Sequence, residues 1–81
     1  MSDQKRWSEG PEMGHATLLD HLAMTRRHVI EGAAILARQR DLIARIAEQG
    51  GNTAAAVLLL KQFEQTQAEH IAHRDRLEAL L

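Results

Sequence analysis

The stretch Glu48-Gln49-Gly50-Gly51-Asn52-Thr53-Ala54 decides the fold, because it is the one strong break between two long runs without proline. Gly50 suits a left-handed cap at the end of a helix. Asn52 or Thr53 can accept a hydrogen bond from the first free amides of a following helix. The short turn 50–52 therefore predicts one helix ending near residue 49 and another starting near 53.

Working outward, Leu18, Leu22, Thr25, Val29, Gly32, Leu36, Gln39, Ile43 and Ile46 step alternately by four and three. That seven-residue repeat is the seam of a packed helix pair. Thr17 and Asp20 resemble a capping box at its start, giving a first helix over about 17–49. Downstream, Ala56, Leu59, Phe63, Thr66, His70, His73, Leu77 and Leu80 show the same alternation, giving a second helix over about 53–80. A connection this short makes the two helices antiparallel neighbours. The expected fold class is all-α, with residues 17–81 forming a two-helix hairpin. Residues 1–16, which include Gly10, Pro11 and Gly14, have no apolar period and read as a mobile N-terminal tail carrying Trp7.

Centring the turn near residue 51 sets Ile43 against Leu59, Leu36 against Thr66, Gly32 against His70, Val29 against His73 and Leu22 against Leu80. A glycine inside a helix costs about 1 kcal/mol relative to alanine. An imidazole opposite Gly32 would explain it, because the missing side chain makes room.

A lone hairpin leaves apolar surface over. The run Ala54 to Leu60 is apolar all round, and Leu19, Ile30, Ile35 and Leu42 fall beside the main seam. Each such side chain left in water forgoes about 1.5–3 kcal/mol. Pairing of two hairpins into a four-helix bundle is the economical solution, and a two-fold homodimer is the commonest symmetry. Leu19, Ile35, Leu58, Leu59, Leu60 and Phe63 are the residues expected at the dimer or partner interface.

Composition narrows the functions. The chain has 81 residues, 44% of them apolar but only 2% aromatic, which excludes a large enzyme and the usual core of a β-sandwich. With no cysteine there is no disulfide framework, thiolate metal site or cysteine nucleophile. The net charge of −1 draws neither nucleic acid nor an anionic membrane. Arg26, Arg27, Arg38, Arg40 and Arg45 alternate with Asp20, Glu31, Asp41 and Glu48, the pattern of a solvated surface rather than a phosphate-binding stripe. The turn glycines lack the lysine of a phosphate loop, and the serines, Ser2 and Ser8, both lie in the tail. No catalytic constellation emerges and no cofactor is expected.

Five histidines are the remaining chemical signal. The expected register brings His28, His70 and His73 together, with Glu31 and Glu69 near them, a set of donors suited to a transition metal. Neither the Glu-x-x-His pairs of di-iron bundles nor the His-Glu-x-x-His order of zinc peptidases is present. The plainer reading is a polar layer in the seam. Thr25, Gln39, Thr66, Gln67 and His70 would then fix register and oligomeric state.

Asp20-His21-Leu22-Ala23-Met24, Arg27-His28-Val29, Ala37-Arg38-Gln39-Arg40, the Gly50–Thr53 turn, Phe63-Glu64 and His73-Arg74-Asp75-Arg76-Leu77 together resemble a set of very small bacterial helical-hairpin proteins. The resemblance covers residues 17–81. It implies a bacterial cytosolic origin and supplies no activity, ligand or site. The absence of an export signal or a membrane-spanning run likewise leads to an expected cytoplasmic location. The functional expectation is a non-enzymatic, dimerising hairpin acting through protein–protein interaction. A histidine-lined metal- or small-ligand-binding bundle is the first alternative, and a nucleic-acid-associated accessory protein the second.

Overall fold

Two helices pack side by side, α1 over Ser2–Glu48 and α2 over Ala54–Ala79. The computed structural model describes residues 2–81, with side chains from Gly14 onward. No strand occurs among the described residues, and no helix there is long and apolar enough to cross a membrane. The hairpin measures 67 × 23 × 14 Å, so it is a single layer of helices.

The helix bounds follow the expected ones except at the N-terminus. α1 starts at Ser2, so the Thr17–Asp20 pair lies inside a helix that is already formed. Once a helix exists, each further residue adds one backbone bond, and Gln4, Lys5, Glu12 and Ala16 all propagate it well. The side chain of Trp7 is not among those described, nor are most of the side chains of the stretch expected to be mobile.

The turn closes as its residues require. Gly50 has φ 72°, the left-handed conformation that side chains resist. Its amide donates to the Ala47 carbonyl at 3.0 Å, and the Gly51 amide donates to the Ile46 carbonyl at 2.9 Å. These paired bonds make a Schellman cap. On the other side, the Asn52 Oδ1 accepts from the Ala54 amide at 2.9 Å, while the Thr53 side chain makes no capping bond. Of the two candidate caps, Asn52 performs the task.

The cap also resets the register. It folds the chain back over the last turn of α1, so that a Cβ on Gly51 would meet the Ile46 side chain. Residues 51–53 consequently run beside α1, and α2 begins about one turn lower than a turn without axial length would place it. Gly32 therefore faces Gln67 rather than His70. Equal and opposite steps of three and four from that pair set Leu22 beside Leu77 and Leu36 beside Phe63, instead of the expected Leu80 and Thr66.

On α1 the nine expected seam positions are all buried or half-buried. On α2 only alternate ones are. Ala56, Phe63, His70 and Leu77 face α1, whereas Leu59, Thr66, His73 and Leu80 are exposed. Leu60, Gln67 and Arg74 take their places in the seam. Because Leu58, Leu59 and Leu60 are alike, steps of three or four from Ala56 look equally apolar in sequence. Arg74 enters by laying its stem along the seam while its guanidinium reaches the Asp75 carboxylate at 3.0–3.1 Å.

Replacing Gly50 by alanine should lower unfolding free energy by about 1–2 kcal/mol, because Cβ opposes the left-handed conformation. Chemical denaturation measures it. An unchanged midpoint would mean that the cap is dispensable.

Candidate functional site

The two edges of the seam differ in chemistry. On one edge, Arg26 and Arg40 of α1, two heptads apart, face Glu78 and Glu64 of α2, also two heptads apart. Arg26 Nε lies 3.5 Å from the Glu78 carboxylate, and Arg40 Nη2 lies 3.5 Å from that of Glu64. Exposed pairs like these contribute about 0–1 kcal/mol each, so they select the partner edge more than they stabilise it.

Among the described residues, the other edge carries no such pairing. Its α1 stripe, at intervals of seven, is His21, His28, Ile35 and Leu42. The matching α2 stripe is Leu59, Thr66, His73 and Leu80, the half of the expected seam that the structure leaves outside. Between the stripes lies a half-open cavity of about 110 Å³ whose walls include His28, Gly32, Ile35, Phe63, Gln67 and His70.

The polar groups of the seam behave differently from one another. Thr25 Oγ1 donates to the His21 carbonyl of its own helix at 2.7 Å, so it is satisfied locally. Thr66 is exposed. Gln39 and Gln67 do cross the seam. Gln39 Nε2 donates to the Ala56 carbonyl and Gln67 Nε2 to the Val29 carbonyl, both at 2.8 Å. The Gln67 amide needs the gap at Gly32, where a Cβ would collide with its Oε1 and Cδ. That oxygen is buried without a hydrogen-bond partner.

His28 and His70 come together, with ring centroids 5.1 Å apart and planes tilted by 38°. His70 Nδ1 is buried and unpartnered. His73 does not join them within the seam; it is exposed on the open edge. Among the described residues, no three histidine, aspartate or glutamate side chains gather in a way that could hold a metal ion within one chain. The expected trio is thus a pair.

The six residues expected at an interface do not share one surface. Ile35, Leu59 and Phe63 lie on or beside the open edge, and Leu60 turns into the seam. Leu58 points away at 60% exposure, and Leu19 falls in the heptad position of the ion-paired edge. What sequence reasoning missed is the Gly32–Gln67 contact. Its signal was present, since a glutamine with a helix glycine opposite is long enough to reach the far backbone.

Comparison with known protein families, with curated proteins and with solved structures finds no match for this chain.

Replacing Gly32 by leucine should destabilise the hairpin by about 1–3 kcal/mol, through overpacking and expulsion of the Gln67 amide, despite the better helix propensity of leucine. Urea denaturation of the variant tests this. A stabilised Gly32→Leu would refute the Gly32–Gln67 register.

Proposed function

We propose that the protein is a non-enzymatic helical hairpin that pairs with a second copy through its open edge, forming a four-helix bundle that presents helix surfaces to protein partners. The observation that carries this reading is the contrast between the edges. One is bridged by Arg–Glu pairs beside a shallow hollow walled by Arg26, Val29, Ile30, Arg74 and Glu78, and the other leaves Leu42 and Leu59 exposed in line with a cavity walled by half-buried Ile35 and Phe63. Leu42 and Leu59 are 39% and 40% exposed, half-covered in the manner of side chains that lack a second layer.

Surface area supports the same reading. The chain exposes 6319 Å², whereas a compact monomer of 9.1 kDa exposes about 4,900 Å². The excess, about 1,400 Å², is that of an elongated single layer of helices over a compact body. A standard interface takes about 800 Å² from each partner. The nucleic-acid reading is weaker, because Arg26, Arg40, Arg45 and Arg74 each lie beside a carboxylate.

Sedimentation at micromolar concentration should give twice the 9.1 kDa chain mass. Placing glutamate at both Leu42 and Leu59 should return it to the single-chain mass. Leu58→Glu, on the outward face of the same helix, should leave the dimer intact. A wild-type chain that sediments alone and still unfolds cooperatively would overturn the proposal.

A further inference from the structure

The His28–His70 pair has the spacing of two ligands on one metal ion. Imidazole nitrogens about 2.0 Å from a tetrahedral ion place the two ring centroids about 5 Å apart, and the observed separation is 5.1 Å. The two rings come from different helices, which the seam holds at a fixed distance. They also border the open cavity, so the space beside them is accessible from the unpaired edge. His70 Nδ1, buried without a partner, has a lone pair or a proton that nothing within the hairpin meets.

One chain supplies only these two ligands, half of a tetrahedral set, and no third donor converges on them among the described residues. A second copy can supply the rest. α1 centres on Thr25, and α2 centres beside Gly32. His28 lies between those two levels, so a two-fold axis that overlaps two hairpins most fully passes close to the His28–His70 layer. On such an axis each pair meets its own image.

We infer that His28 and His70 of two copies together form a site for one divalent transition metal ion of the zinc class, bridging the open edges of the dimer. The inference rests on the dimeric reading above and adds a ligand to it. Glu31 borders the same cavity without completing a three-ligand group within one chain, and imidazole donors without thiolate suit zinc, cobalt, nickel or copper rather than calcium or magnesium. With four protein ligands and no open position, the site would clamp the two hairpins rather than catalyse a reaction. Since the ion binds only the assembled form, it would shift the chain toward the dimer by mass action.

Cobalt(II) is the probe, titrated into tag-free protein freed of metal with a chelator, with absorption of the tetrahedral ion and sedimentation followed together. The expected result is a tetrahedral spectrum that saturates at one ion per two chains, with the dimer favoured at concentrations where it otherwise dissociates. His28→Gln and His70→Gln should each lose that spectrum, while His15→Gln, at an exposed position outside the seam, should keep it. Circular dichroism verifies that the variants remain helical. A dimer that takes up no cobalt overturns the metal site and leaves the dimeric reading standing. One ion per chain, or a spectrum that survives both substitutions, also overturns it. A chain that stays single with and without cobalt overturns both readings. Dimerisation only in the presence of cobalt supports the site and overturns a metal-independent dimer.

Discussion

Two side-chain amides bridge the helices and set where everything else lies. Gln39 of α1 donates to the Ala56 carbonyl of α2, and Gln67 of α2 donates to the Val29 carbonyl of α1. Each carbonyl belongs to a helix interior, where a second lone pair remains free after the helical bond. Each glutamine is more than nine-tenths buried, so leaving its donor unmet would cost about 1–3 kcal/mol. The bonds thus act chiefly as a penalty on every other register. Gly32 belongs to the same device, because only a residue without Cβ lets the Gln67 amide lie against the backbone.

From that register the two edges acquire their separate characters. Arginines and glutamates spaced by two heptads meet along one edge, and histidines and aliphatic residues line the other. A layer 14 Å thick has no interior beyond its seam. Among the described residues, its fully or nearly buried apolar side chains are Leu22, Leu36 and Leu77, too few to hold a domain of this size by burial alone. The ion-paired edge is already satisfied by its own charges. Further burial is available at the cavity edge, where Leu42 and Leu59 stay exposed.

Legibility in the sequence differed between the helices for a definite reason. Along α1 a single apolar phase exists, because Arg26, Arg40 and Asp41 exclude the alternatives, and every seam residue could be placed. The cap at Gly50 was equally plain, since few residues tolerate positive φ. Along α2 three consecutive leucines left two phases open, and the polar residues that follow them did not choose. Thr66 and His73 belong to one phase, and Gln67 and Arg74 to the other. The register required knowing that a Schellman cap lowers the start of α2 by about a turn, which is a property of backbone geometry and not of composition. Of the three histidines expected to meet, two do. His28 and His70 were rightly brought together, and His73 was added only because the assumed phase turned it inward.

A repeating seam has a natural competitor, the same helices displaced by one heptad, and the polar residues act against it. Such a slip preserves the heptad phase of both helices and still sets apolar residues together at several levels, as with Val29 against Leu77 and Ile43 against Phe63, so hydrophobic burial is not the sole discriminator. It would, however, carry the Gln67 amide one heptad away from Gly32, to a seam position with a side chain, and would leave Gln39 without the Ala56 carbonyl. It would also move Glu64 and Glu78 off Arg40 and Arg26, which are spaced to match them only in the observed register. Apolar packing sets how strongly the helices associate, and these few polar groups set which alignment they adopt. An assembly of two such hairpins inherits the same requirement, because its second layer can pack only against an edge whose alignment is fixed. The amides at Gln39 and Gln67, though remote from the open edge, therefore determine whether that edge has one shape or several.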